Sequence, residues 1–453
     1  MLCFTQNDHT GQTGFKICPF LKWAHSIIIV DDLPDDVNRI TNIFNEHGIG
    51  CRGFVYDSVE LIDEPLKDVK LAFFDICLST TGNDIEQFTI LCEAIKSYIS
   101  CENRDFVLVF WTSKPQMIED FKKYINEREI LDMPKPIAIK AIDKHQFIGH
   151  ADRLQQTLSD LMEDQIVRCL FSFESELKSA ANQSLRDVLQ LIEFPDAWGD
   201  TAQYIENIKR VFAMIAIETL GKKRGSELPD LAIKEAFAPL FAHYLFESES
   251  CVWKQLFEGL NITKIKNFPN PAIVASLNTL FHLDFTTTKE IDSRGSVRKI
   301  ERGNVELAKL FEEQIGYNLN EWIYSVLLKN YKIEHDVLDL VALEYSAACD
   351  YSNAKKRTHR YILGVILPID VALQLDNEGV KLGDAVYKLP FKFMYRGQEC
   401  TIFLHFNFSI NEEESSSNKI LGERLFSLKS EVMNMICDSH ARHISRIGIT
   451  SFR

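Results

Sequence analysis

The feature that most constrains this chain is where its carboxylates fall relative to its apolar runs. SIIIV (residues 26–30) is followed by Asp31 and Asp32, and LAFF (residues 71–74) is followed by Asp75. Short apolar runs closed by polar residues read as buried strands. Two such strands running parallel bring their carboxyl ends together at one edge of a sheet, which is where open α/β folds form their sites. Three carboxylates converging there offer hard oxygen ligands to a divalent cation, and Mg²⁺ is the expected ion where a phosphoryl group is also handled.

The rest of the first third fits a sheet of this kind. FVLVFWTS, residues 106–113, is another buried run and ends in the hydroxyls of Thr112 and Ser113, while PIAIK places Lys140 after a short fifth run. Between the runs, Val37, Ile40, Ile43 and Phe44 share one helical face, as do Phe88, Leu91, Ile95 and Ile99. Asp35 and Asp84 are the expected N-caps, and Gly48 is placed to end the first helix in a left-handed conformation. Strand and helix are expected to alternate five times, giving a parallel sheet covered on both faces.

With these residues in place, 25–150 resembles the receiver domain of two-component response regulators. The resemblance implies an α/β, flavodoxin-like fold, Asp31, Asp32 and Asp75 as Mg²⁺ ligands, and Asp75 as the phosphoryl acceptor. It further implies Thr112 as the switch hydroxyl, Lys140 as the ion-pair partner of the phosphate, and a histidine-kinase-like protein or related ATPase as partner. The family's Lys is followed by Pro, whereas Lys140 is followed by Ala141, so Lys144 is the alternative match. A bacterial phosphorelay protein is the reading that follows. The alternative is a phosphorylation-independent pseudo-receiver scaffold in a stress or phage-defence complex.

Length and charge bound the remainder. At 453 residues the chain has room for about three domains. A net charge of −15 argues against attraction to nucleic acid or an anionic membrane. No stretch approaches the roughly 20 apolar residues of a membrane span, and the start lacks a secretory signal pattern. The 11 cysteines follow no disulfide spacing, so a cytoplasmic protein with reduced thiols is expected.

The expected organisation is an N-terminal arm at 1–24, the receiver-like domain at 25–150, a helical domain at 151–330 and an α+β domain at 331–453. From residue 145, leucines recur at steps of three and four through Ile192, with one break near Ile166. This describes either a core helix or the seam of a homodimer. Within 200–330, GKKRGSE and TTTKEIDSRGSVRKIERGN are expected as loops between amphipathic helices. From about 335, four or five antiparallel strands, with RGQE as a hairpin turn, an exposed loop at 411–419 and a final helix at 421–443, predict a small barrel or sheet capped by that helix.

Two groups in this last domain are candidates for chemistry. The connector ALEYSAACDYSNAKKRTHR carries Cys349, Asp350, Lys355 and His359, and a Cys349–His359 pair is a possible nucleophile and base. Cys437, His440 and His443 share a helical face and could hold zinc with Cys349, Asp350 or a water as a fourth ligand. Either arrangement would make the C-terminal region an effector with its own site.

Overall fold

The runs 27–30, 71–74 and 107–111 form strands because each is apolar at every position, which suits the centre of a sheet buried on both faces, while the edge runs RGFV and AIKAID are mixed and more exposed. In a computed structural model of the chain these are β1 (Ile27–Asp31), β2 (Arg52–Val55), β3 (Leu71–Phe74), β4 (Val107–Thr112) and β5 (Ala138–Asp143). All pair in parallel, in the order β2-β1-β3-β4-β5. The chain steps outward from β1 to β2 and then returns to the other side of β1, so the topological switch lies between β1 and β3.

The structure describes residues 27–445 apart from 148–150, 163, 195–198, 200, 249–251, 269, 287–290, 302–307, 310–311, 314, 330–336, 347–357, 378, 381 and 414–420. The expected arm at 1–24 lies outside these residues.

Alternate side chains of the parallel sheet serve opposite faces. Ile27, Ile29, Phe73, Val109 and Trp111 pack beneath α1 (Pro34–Glu46) and beneath Leu158, Leu161 and Val167 of α4 (Ala151–Met162) and α5 (Gln165–Gln190). Ile28, Val30, Phe74, Leu108 and Phe110 pack beneath α2 (Asp84–Tyr98) and α3 (Met117–Arg128). The start of the leucine-patterned segment is therefore a core helix, and its break falls between α4 and α5, where Asp164 accepts from the Ile166 N–H.

Three local expectations change. Strand and helix alternate at four positions rather than five, because residues 56–70 form no helix; Pro65 interrupts the segment and Leu66 pairs as an isolated bridge with Ile99. The N-cap of α2 is Asn83, in a reciprocal capping box with Glu86, rather than Asp84. Asp35 lies inside the first turn of α1, which begins at Pro34, while Gly48 follows that helix with φ +68° as expected.

By internal contacts the chain divides into two units. The first holds the parallel sheet and continues to Leu185, with Phe241–Leu260; the second holds Arg186–Leu240 and the residues from Asn261 onward. Helices α6 (Ala202–Leu220), α7 (Lys222–Glu227), α8 (Pro229–Phe246), α9 (Val252–Leu256) and α10 (Ile273–His282) make up the middle of the sequence. GKKRGSE is not a loop: it forms α7, and Gly225 lets α7 approach α6 so closely that a Cβ there would lie 2.4 Å from the Ala216 carbonyl oxygen.

The second unit is built on an eight-stranded antiparallel sheet. Its strands are β6 (Leu283–Asp284), β7 (Ser296–Lys299), β8 (Asp339–Glu344), β9 (Thr358–Pro368), β10 (Val386–Lys388), β11 (Phe393–Tyr395), β12 (Gln398–Glu413) and β13 (Arg424–Leu428). One face, with Leu340, Ala342, Leu363 and Val365, packs against Trp322, Ile323 and Leu327 and against α11 (Ile369–Asn377). The other, with Val341, Leu343, Ile362 and Phe426, packs against Val432, Met433 and Ile436 of α12 (Ser430–Ile444). Arg396 and Gly397, both at positive φ, make the two-residue hairpin between β11 and β12.

Strands β6 and β7 come from sequence assigned to the helical domain. Arg298 in β7 is the reason: it is a charged residue that is nevertheless buried, bonded to Asp292, Glu412 and the carbonyls of Leu421 and Gly422. The final helix starts at Ser430 rather than 421, because residues 424–428 pair with β7. Residues 411–413 likewise belong to β12, with Glu412 buried against Arg298.

Candidate functional site

The carboxyl ends of β1 and β3 flank the switch point, and each ends in aspartate. Asp31 is the last residue of β1 and fully buried; Asp75 follows β3, where its N–H donates to the Val30 carbonyl. The two strands are thereby fastened at the level of their acidic ends. Asp31 Oδ1 accepts from the Leu33 N–H at 3.0 Å, and Asp75 Oδ1 accepts from the Cys77 N–H at 3.3 Å. Their Oδ2 atoms turn to a shared cation. Asp31, Asp32 and Asp75 each place one carboxylate oxygen within 4.8 Å of the others, the only such group of potential metal ligands among the described residues.

Thr112 ends β4 at the same edge. It is buried, and its Oγ1 accepts from the Lys114 N–H at 3.2 Å. Trp111, its bulky neighbour, points into the core with Ile29 and Phe73 instead of toward this edge.

The lysine at the edge is Lys144. Strand β5 runs on beyond the PIAIK segment to Asp143, and Thr112 pairs in register with Asp143 while Lys140 pairs with Val109. Lys140 thus sits three residues short of the edge and forms an ion pair at 2.6 Å with Asp164, between α4 and α5. Lys144 is the first residue past the strand. Its Nζ donates to Asp31 Oδ2 at 2.6 Å and to Asp75 Oδ2 at 2.8 Å, and pairs with Asp36 Oδ2 at 2.9 Å. The sequence carried a signal for this: AIKAID continues its apolar pattern through Ile142 and closes on an aspartate as β1 does.

Asp36 was not foreseen. Pro34 starts α1 immediately after β1, so the third helical residue hangs over the strand ends and faces Lys144. The cue was the second acidic pair in DDLPDD.

Four carboxylates around one ammonium leave the site strongly negative. Burial pushes the Asp31 carboxyl up to about 7, against the pull of Lys144, and raises Asp32, which also feels the charge of Asp75. Burial works to deprotonate Lys144, but the carboxylates of Asp75 and Asp31 outweigh it and hold the ammonium above its ordinary value. A surplus of buried negative charge carried by oxygen donors suits a hard divalent cation at Asp31, Asp32 and Asp75.

Among the described residues, the C-terminal candidates do not assemble. Among them, Cys437, His440 and His443 do not form a metal-binding group. His440 packs edge-on to Tyr345 and Phe406, Cys437 accepts from Arg294, and His443 bonds to Asn407 at 2.8 Å. Burial lowers the His440 imidazole below its ordinary value. His359 is buried beside Glu344 at 3.6 Å. Cys349, Asp350 and Lys355 lie outside the described residues. No helix of the described residues is long and apolar enough to cross a membrane.

No protein-family model matches this chain, and no curated protein and no solved structure matches it.

Proposed function

We propose that the first unit is a receiver domain of the response-regulator type, which accepts a phosphoryl group on Asp75 in an Mg²⁺-dependent reaction. The observation that supports this reading is the meeting of Asp31, Asp32, Asp75, Thr112 and Lys144 at the carboxyl edge of a sheet whose order, β2-β1-β3-β4-β5, is the flavodoxin-like one. Mg²⁺ bound by Asp31, Asp32 and Asp75 would offset the charge of acceptor and donor.

In the transfer, an Asp75 carboxylate oxygen forms a bond to phosphorus as the P–N bond of a phosphohistidine donor breaks, and the donor imidazole takes up a proton. Lys144 pairs with the new acyl phosphate and Thr112 donates its hydroxyl proton to a phosphoryl oxygen. The Thr112 hydroxyl, whose Oγ1 accepts from the Lys114 N–H, turns its proton toward the phosphate, and that reorientation shifts the loop after β4. The donor is a histidine-kinase-like partner, and the helices and antiparallel sheet that follow form the output module, acting by protein contact.

Beryllofluoride binding followed by fluorine NMR tests this. Binding to wild type that requires Mg²⁺ and is lost in Asp75→Asn is the expected result. A folded wild type without binding would overturn the proposal in favour of a constitutive scaffold. That second reading draws on one feature: Lys144 already pairs with Asp31, Asp36 and Asp75 internally, as a cation of the chain's own.

A further inference from the structure

We infer that Asp36 is a positioning residue for Lys144, the anchor that keeps its ammonium at the site when the strand-end aspartates are drawn to a cation and a phosphoryl group. The inference rests on the receiver reading above and extends it to a residue outside the acidic trio.

An ammonium has three N–H groups. Lys144 donates to Asp31 at 2.6 Å and to Asp75 at 2.8 Å and forms an ion pair with Asp36 at 2.9 Å, so three carboxylates crowd the ammonium where a phosphoryl oxygen has to approach. Accepting a phosphoryl group therefore requires that Lys144 release at least one of them. Asp31 and Asp75 are the two that belong to the group able to hold a divalent cation, and Asp36 is not part of it. Asp36 also comes from a different element, the first turn of α1, where Arg39 lies 3.4 Å from its other oxygen. It is the contact that neither metal binding nor phosphorylation needs to break.

The consequence is a division of labour. With Asp31 and Asp75 engaged elsewhere, a largely buried ammonium with no partner would be costly, and it would swing away from the edge. The ion pair with Asp36 holds it in place and leaves N–H groups to face phosphoryl oxygens. Lys144 then stabilises the charge of the transferring group from a fixed position, without a search by a flexible side chain.

The test measures Mg²⁺ affinity by calorimetry and the rate of Asp75 phosphorylation by phosphoramidate, on the full-length protein. It compares wild type, Asp36→Asn, Asp36→Glu, Lys144→Ala and the double variant Asp36→Asn/Lys144→Ala. Asp36→Asn should leave Mg²⁺ affinity within about threefold while lowering the maximal phosphorylation rate about tenfold at unchanged phosphoramidate KM, the signature of an interaction made in the transition state. Asp36→Glu should recover part of the rate. In the Lys144→Ala background Asp36→Asn should have no further effect, because it acts through that lysine.

An unaltered rate in Asp36→Asn, losses that multiply in the double variant, or an Mg²⁺ affinity that falls as far as in Asp31→Asn would each overturn the inference. Should the Asn variant fail to fold, Asp36→Ser, suited to a first helical turn, takes its place with the same expectations. A folded wild type that takes up no phosphoryl group would overturn the receiver reading and the inference together, whereas an active wild type with an indifferent Asp36 overturns the inference alone.

Discussion

Lys144 donates to Asp31 at 2.6 Å across 113 positions of sequence, joining the loop after the last strand of the parallel sheet to the end of its first. The bond spans the topological switch and ties together the elements that bound the crevice. Its consequences for stability follow from its burial.

Lys144→Ala should destabilise the first unit by about 3 kcal/mol, since it leaves buried carboxylates without their cation. Lys140→Ala should cost less than about 1 kcal/mol, because its pair with Asp164 is partly solvated. Urea unfolding of both variants checks this, and Mg²⁺ should restore part of the loss in Lys144→Ala only. Equal effects would mean that the internal pairing at the edge is not what holds it.

The two units should respond oppositely to mild acid. Asp31 has a folded pKa of about 7, above its unfolded value, so the folded state keeps a proton that the unfolded chain loses, and stability falls as pH rises from about 4 to about 7. His405, buried in β12 and lowered to about 4, behaves in reverse: the unfolded chain binds the extra proton, so stability rises over the same interval. Hydrogen exchange in β1 and in β12 at pH 4.5 and 6.5 reads the two separately. Asp31→Asn should flatten the first trend and His405→Phe the second.

Arg298 should be among the most sensitive positions of the second unit. It is 1% exposed, and its guanidinium reaches two carboxylates and two carbonyls at once. Arg298→Ala should cost about 3–5 kcal/mol by removing the guanidinium from Asp292 and Glu412. Arg298→Lys should recover little, because an ammonium cannot present the same planar fork. Thermal unfolding with and without Glu412→Gln measures how much of the loss is charge left behind.

Two glycines should fail for different reasons. Gly364 in β9 would place a Cβ 2.4 Å from the Phe403 carbonyl oxygen, so Gly364→Ala must separate β9 from β12 and should cost about 2–3 kcal/mol. Gly48 has open space around it but φ +68°, and Gly48→Ala should cost about 1 kcal/mol. Chemical denaturation with the spectroscopic signal of each unit decides the order.

Much of the first unit was legible in the sequence because a parallel strand buried on both faces is apolar at every position and stops where it meets water. The aspartates at 31 and 75 mark those stops, and the residue pattern of α1 and α2 shows which side chains turn inward. Lys144 was harder, since PIAIK offers an earlier stop and only the pairing of Thr112 with Asp143 locates the edge. Asp36 needed the geometry of a helix entering directly from a strand.

In the second unit, continuous apolar strand runs such as 361–367 were visible, but β7 was not. Its arginine is buried only because Glu412 and two carbonyls arrive from distant segments to join Asp292, six residues upstream, in satisfying it. The sequence by itself determined which segments would be strands or helices and where carboxylates would collect, because those follow from local pattern and the cost of burying charge. Which lysine answers the carboxylates, and which charged residue can enter the core, only the tertiary structure decided, since both depend on partners that the chain brings together from more than 60 positions away.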